Sequence, residues 1–267
     1  MSRRAPTGAQ AVLRAIALLK SFTTERPEKE LSELARDTGL SRSTTHRLVG
    51  ALESEGLVVR VSSSGRYRLG PSTVALGARA LRSSKIRELA HPLLEALARE
   101  SGETATLEVL SDGKMLILDE VLGAHLIGAS PSLGTSWAIH ATSTGKALLS
   151  ALPREKMLEL IAFPLARFTA RTTTALHPLQ TELARAREQG FAIAYEELEE
   201  NYAAVGAVVR VPMGEPYATL SIGGPVARLT KDKARRLGNL VKSKADELSR
   251  SLGYEGPERA SRARSAG

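Results

Sequence analysis

The chain is predicted to be an α+β protein in two parts: a winged helix-turn-helix, a linker helix, and a mixed helix–strand domain built on an antiparallel sheet. Three observations predict this. The first 70 residues order as helix, loop, helix, three-residue turn, helix and hairpin. From residue 85 onward, strand-like runs pair around tight turns and alternate with amphipathic helices. The charge is also divided. Residues 1–85 hold 15 Lys and Arg against 7 Asp and Glu, while the rest balance at 22 each, so the whole excess of +8 sits at one end. A basic segment joined to a neutral body fits a part that meets a polyanion.

The boundaries follow the pattern. Residues 9–70 form the winged helix-turn-helix, 71–84 the linker helix and 85–254 the second domain. Residues 255–267, EGPERASRARSAG, form a polar tail expected to be disordered. The first helix, AQAVLRAIALLKSF, puts Val12, Ile16 and Leu19 at i, i+4 and i+7, with Phe22 on the same apolar side. LSELARDTG is a short helix, with Ser32 as N-cap and Gly39 at the left-handed C′ position. Ser41 caps the third helix, which Gly56 stops. Residues 57–61 and 66–69 flank a Ser/Gly turn and form the wing.

The third helix, SRSTTHRLVGALESE, carries the functional signal. With Leu48 taken as inward, Ser41, Thr44, Thr45, Ala51 and Leu52 fall within about 60° of it at 100° per residue. Arg42, Ser43, His46 and Gly50 face out, and Arg47 lies on the flank. Donors, cations and a glycine near a helix N-terminus suit base edges and phosphates in a major groove. Arg66 and Arg68 share one face of the wing, opposite Tyr67 and Leu69, and can reach the neighbouring backbone or minor groove. The expected DNA contacts are Arg42, Ser43, Thr45, His46, Arg47, Arg66 and Arg68, with Thr45 included despite its inward position.

Pro71 opens the linker helix, residues 83–85 form a joint, and Pro92 interrupts the helix beyond it. TATLEVL and KMLILDEV are strands around Asp112-Gly113, and HLIGAS is a third. STGKALLSAL, MLELIA and ALHPLQTELARAREQG are helices. FAIAYEE, AVGAVVRV and YATLSIGG are strands, and KDKARRLGNLVKSKADELSRSLG is the last helix.

Enzyme chemistry finds no support. TSTGKAL fails as a phosphate loop because His140 and Ala147 stand where glycine and Ser/Thr are needed. There is no G-x-S-x-G, the five histidines lack metal spacing, and no catalytic residue or metal ligand is assigned. The EELEE run at 196–200 reads as a solvated turn. What remains is a binding site: Thr142, Ser143 and Thr144 open a helix whose free amides and dipole can seat a carboxylate. No cofactor is expected. The absence of cysteine, of a long apolar run and of an apolar signal core fits a soluble cytoplasmic protein with no membrane partner.

Taken together, T-G-L-S-R-S-T-T-H-R-L, G-R-Y-R-L-G, S-G-E-T-A-T-L, H-A-T-S-T-G-K-A-L-L, E-E and S-I-G-G-P, in that order from Gln10 to Gly253, resemble the isocitrate lyase regulator (IclR) family of bacterial transcription factors. The resemblance implies a GAF/PAS-like effector-binding domain. It also implies a dimer or dimer of dimers on a palindromic operator, controlling a catabolic or metabolic operon, most often by repression. It places the effector pocket at Leu126, Ala129, Ser143, Thr144, Ala194, Ala204, Ser221 and Gly223. Better-known members often carry an acid, a cysteine and a serine where this chain has Ala194, Ala204 and Gly223, and a glycine where it has Asn201. The pocket is therefore expected to be less polar, suited to a larger or more apolar carboxylate, such as an aromatic one. The competing readings are an enzyme carrying a DNA-binding domain and an architectural DNA-binding protein without an effector.

Overall fold

The computed structural model of the chain describes residues 9–125 and 132–256. It divides between Ser84 and Lys85 into two compact units.

In the first unit, α1 (Gln10–Lys20), α2 (Leu31–Thr38) and α3 (Arg42–Ser54) precede β1 (Val58–Arg60), β2 (Tyr67–Leu69) and α4 (Pro71–Arg82). Leu18, Leu34, Leu48, Val49, Leu52, Val58 and Tyr67 form the core. Each large apolar side chain buried there contributes about 1.5–3 kcal/mol. The turn from α2 to α3 is local chemistry. Gly39 takes φ 66° as the left-handed stop. Ser41 then caps α3, its Oγ accepting from the Thr44 amide at 3.2 Å. The wing is a two-stranded antiparallel ribbon, with Val58 opposite Leu69 and Arg60 opposite Tyr67. It is tied back through paired backbone hydrogen bonds between Lys29 and Tyr67. Buried Lys29 donates to Asp37 at 2.6 Å and to the Ser21 carbonyl. That bond holds the Asp37 carboxyl below the usual carboxylate range.

Three local expectations are corrected in this unit. Val12 and Ile16 are 61% and 42% exposed; Leu19 and Phe22 pack inward as expected, joined by Ala15 and Leu18. The helix is apolar on two sides, and periodicity alone cannot say which side meets the domain. Ala51 is exposed, since Val49 and Leu52 take the inward stripe. The cap of α2 is Glu30, whose side chain forms a reciprocal capping box with Glu33, rather than Ser32.

The second unit holds one six-stranded sheet, wholly antiparallel, in the order β5-β4-β3-β8-β7-β6. Its strands are β3 (Thr104–Ser111), β4 (Lys114–Val121), β5 (Ser136–Ala138), β6 (Ala192–Tyr195), β7 (Tyr202–Arg210) and β8 (Pro216–Pro225). Its helices are α5 (Lys85–Ser101), α6 (Ser143–Ala151), α7 (Arg154–Leu160), α8 (Leu176–Gln189) and α9 (Lys231–Ser251). α5 and α9 cover one face through Leu94, Leu97, Leu107, Val205, Leu220, Ile222, Val241 and Leu248. α6 and α8 lie on the other.

Pro92 does not break α5. A proline inside a helix costs about 3 kcal/mol, but Ile86, Ala90, Leu94, Leu97 and Ala98 are buried on both sides of it and outweigh that cost. The strand expected at HLIGAS falls on residues 125–130, which lie outside the described residues except for His125, as does most of the tail. β5, by contrast, was missed because three residues give no readable alternation.

Candidate functional site

The outer surface of α3 is what its caps and inward stripe leave over. Thr45, Leu48, Val49 and Leu52 are buried, while Arg42, Ser43, His46, Arg47 and Gly50 are exposed. Arg42 and Arg47 form no ion pair with any described residue. Arg68 is exposed on the wing.

Two expected DNA contacts have partners within the domain. Thr45 is fully buried, and its hydroxyl donates to the Ser41 carbonyl at 3.0 Å, closing the first turn of α3. The helix wheel had already put it inward. Arg66 turns into the domain, donating to Glu33 at 2.7 Å and to the Glu28 carbonyl at 3.3 Å. Arg66→Ala is therefore expected to lower the melting temperature while leaving the salt dependence of DNA binding unchanged, as thermal melts and salt titrations would show. A reduced salt slope would return Arg66 to the phosphate-binding set.

The second site lies on the sheet face beneath α6. Across β6, β7, β8 and β3, Ala194 pairs Ala204, Ala204 pairs Gly223, and Gly223 pairs Thr104. In the next row, Gly206 pairs Ser221 and Ser221 pairs Thr106. The start of α6 sits directly on Gly206, where an added Cβ would lie 3.0 Å from the Thr144 amide nitrogen. Gly145 is pressed still closer: a Cβ there would meet the Ile139 carbonyl oxygen at 1.9 Å. Thr142 caps the helix by accepting from the Gly145 amide at 3.1 Å. The first-turn amides of Ser143 and Thr144 are thereby left without an intrahelical acceptor, as at any helix start. The structure thus brings Ser143, Thr144, Ala194, Ala204, Ser221 and Gly223 together on one face. Leu126 and Ala129 lie outside the described residues.

Three further residues reach this face. Glu108 is buried on β3, and its carboxylate accepts from Thr144 Oγ1 at 2.7 Å and from Thr106 Oγ1 at 2.9 Å. Thr106 in turn shares a 2.7 Å hydrogen bond with Ser221. Burial pushes the Glu108 carboxyl up, opposed by those two hydroxyls. Tyr202, next but one to Ala204 on β7, lays its ring over Gly223, where a Cβ would come within 2.2 Å of the phenol oxygen. Burial first, then the negative field of Glu108, pushes the Tyr202 phenol up, so it stays a donor. Its hydroxyl makes no hydrogen bond to a described residue. This face therefore carries the polar groups of Glu108, Thr106 and the Tyr202 phenol beside Ala194, Ala204 and Gly223. A signal was present, because TATLEVL alternates Thr104, Thr106 and Glu108 against Ala105, Leu107 and Val109.

Gly223→Ala should push the Tyr202 ring aside. A fall in ligand-induced melting shift is expected, with Gly223→Ala/Tyr202→Ala recovering fold stability but not the contact.

The EELEE segment is not simply a solvated turn. Glu196 and Asn201 take φ 57° and 61°, and Glu197 is buried against Lys146. Lys146, rejected as a phosphate ligand, is 2% exposed and also meets Glu182 at 2.6 Å. Thr169 and Thr172 bind the carbonyls of Glu196 and Glu197 at 2.6 Å each. The network fixes the loop from which Tyr202 emerges.

Both units of the chain have counterparts among known proteins. The profile of the IclR helix-turn-helix domain matches residues 11–62. The profile described as bacterial transcriptional regulator IclR C-terminal matches residues 78–250. The chain is 32% identical to the transcriptional repressor IclR of Escherichia coli, over 91% of this chain and 90% of that one. It is 35% identical to the HTH-type transcriptional regulator Rv1719 of Mycobacterium tuberculosis, over 88% and 89%. It also superposes on an IclR homologue from Microbacterium hydrocarbonoxydans crystallised with 4-hydroxybenzoate. The TM-score is 0.74 and the identity 25%, covering 91% of this chain and 98% of that one.

Proposed function

Since the chain belongs to the IclR family of bacterial transcriptional regulators, and so is a DNA-binding regulator rather than an enzyme, we propose that it is a ligand-responsive repressor. It binds a palindromic operator as a homodimer or dimer of dimers and senses a small carboxylate. The observation that carries the reading is the outward row on α3: Arg42, Ser43, His46 and Arg47, exposed around Gly50 at the N-terminal half of a helix held by its opposite stripe. Arg68 on the wing serves the neighbouring phosphates. Repression is supported by the names of the curated relatives.

Self-association is supported by apolar surface in the first unit. Val12, Leu13 and Ile16 on α1 and Val74 and Leu76 on α4 are 42–73% exposed. A stripe of that kind marks an interaction surface. Two copies would also supply the paired half-sites that give an operator its discrimination.

The carboxylate is assigned to the Ser143 and Thr144 amides, with Ala194, Ala204, Ser221 and Gly223 as floor and Tyr202 as a phenol donor. Leu126 and Ala129 belong to the same proposed pocket. The bound 4-hydroxybenzoate of the Microbacterium homologue supports an aromatic acid. Effector binding changes operator affinity because the two states bind the ligand unequally.

The test is fluorescence anisotropy on the DNA upstream of the coding sequence, with and without benzoate and 4-hydroxybenzoate, beside sedimentation of the free protein. Operator affinity that changes with ligand, on a dimeric or tetrameric protein, supports the reading. Unchanged affinity alongside tight binding would make the protein an architectural one.

A further inference from the structure

Two of the proposed effector contacts, Thr144 and Ser221, are joined through one buried carboxyl. The chain of hydrogen bonds runs Ser221–Thr106–Glu108–Thr144. Its direction depends on Glu108. A threonine hydroxyl has one proton to give. When Glu108 is ionised, the protons of Thr106 and Thr144 both go to it, and Ser221 must then donate to Thr106. Thr144 and Ser221 then have only lone pairs left to offer the site. An arriving carboxylate then finds only the two α6 amides and the Tyr202 phenol as donors, and a second negative charge behind them.

When Glu108 holds a proton, it donates to one threonine. That threonine hydroxyl is released to donate elsewhere, and the negative charge is gone. The polarity of the seat is thus set by a single proton.

Among the described residues, the neighbouring cations are otherwise engaged. Buried Glu103 is taken by Arg228 at 2.9 and 2.7 Å. Glu120 on β4 is taken by the Ser132 and Leu133 amides. Lys146 on α6 is taken by Glu197 and Glu182. His140, ahead of α6, meets the Ala166 carbonyl at 2.9 Å. The Glu108 carboxyl is met by Thr106 on β3 and Thr144 on α6; Thr219 on β8 donates its hydroxyl to the Glu108 main-chain carbonyl at 3.4 Å, and the Tyr202 phenol on β7 feels the Glu108 charge. The direction in which burial moves Glu108 agrees with a group that can be neutral at the working pH.

We propose that Glu108 is a specificity-determining residue of the effector pocket: a monoanionic carboxylate enters together with one proton, which Glu108 keeps. This rests on the reading of the Ser143–Thr144 amides as a carboxylate seat. The proton comes from solvent and is released when the ligand leaves, so ligand affinity and pH are linked.

The experiment is isothermal titration calorimetry of the full chain with benzoate and with 4-hydroxybenzoate. It runs from about pH 5.5 to about pH 8.5, in pairs of buffers of different ionisation enthalpy. Above the Glu108 titration, uptake approaching one proton per ligand is expected, with affinity falling about tenfold per pH unit; below it, uptake falls away and affinity levels off. Glu108→Gln should bind without proton uptake, with a flat pH profile and higher affinity than the parent at the alkaline end. Far-ultraviolet circular dichroism checks that the variant is folded, and the parent's proton count stands without it. A flat profile in the parent, or an unchanged profile in E108Q, overturns the role of Glu108 and leaves the carboxylate seat standing. Failure of both acids to bind at every pH overturns the seat and this inference with it.

Discussion

Lys146→Met is expected to destabilise the second unit by about 3–5 kcal/mol, because it leaves buried Glu197 without its cation. For a domain of this size that is a fall of about 10 °C in melting temperature. The single tryptophan, Trp137 on β5, reports the transition by fluorescence. The loss should depend on pH with a definite sign. Burial already pushes the Glu197 carboxyl up, with Lys146 pulling it back. Removing Lys146 raises it further. A carboxyl whose folded-state value lies above its unfolded value keeps its proton longer in the folded state, so stability is lost as pH rises. The deficit of Lys146→Met should be larger at about pH 8 than at about pH 5. Lys146→Met/Glu197→Gln should recover part of the loss and flatten the dependence. An equal deficit at both pH values would mean the cost lies in packing rather than in the stranded charge.

Arg42→Ala/Arg47→Ala carries the largest expected effect on function. Both guanidinium groups are exposed at the N-terminal half of α3, and neither has an acidic partner among the described residues. Each should cost about 1–3 kcal/mol if it reads a base edge. If it meets a phosphate, it should instead reduce the salt slope by about one. The double variant should therefore bind operator DNA at least about 30-fold more weakly at moderate salt, with its melting temperature unchanged, since both side chains are exposed. Anisotropy titrations over a range of salt separate the two contributions. Intact affinity in a folded double variant would show that this face is not the reading surface.

The DNA-reading unit was legible because its signals are local. Gly39, Ser41 and Gly56 set the turn and the helix ends, and the stripe of Leu48 and Leu52 decides which side of α3 is left over. Where two sides compete, the sequence is silent. Val12 and Ile16 repeat as regularly as the residues that pack inward, and the difference lies in the rest of the domain. Arg66 had the alternation of a wing cation, but its partner Glu33 lies 33 positions away on α2. The sheet face beneath α6 could be assembled from ordered motifs, and the strands align Ala194, Ala204 and Gly223 in one row. What was missed lies in couplings across the sheet. The smallness of Gly223 admits Tyr202, and Glu108 is held by hydroxyls from β3 and α6. Lys146 and Glu197 were each set aside singly, because their meaning is the pair they form 51 positions apart.

The central claim, that the outer row of α3 enters the major groove, is tested most directly by dimethyl sulfate footprinting of the full chain on its own upstream DNA. Methylation at guanine N7 reports the major groove alone. The account predicts two protected clusters, related by a palindrome and separated by about 10 base pairs or a multiple of it, both lost in Arg42→Ala/Arg47→Ala. A bound complex that leaves guanine N7 fully reactive throughout would contradict it.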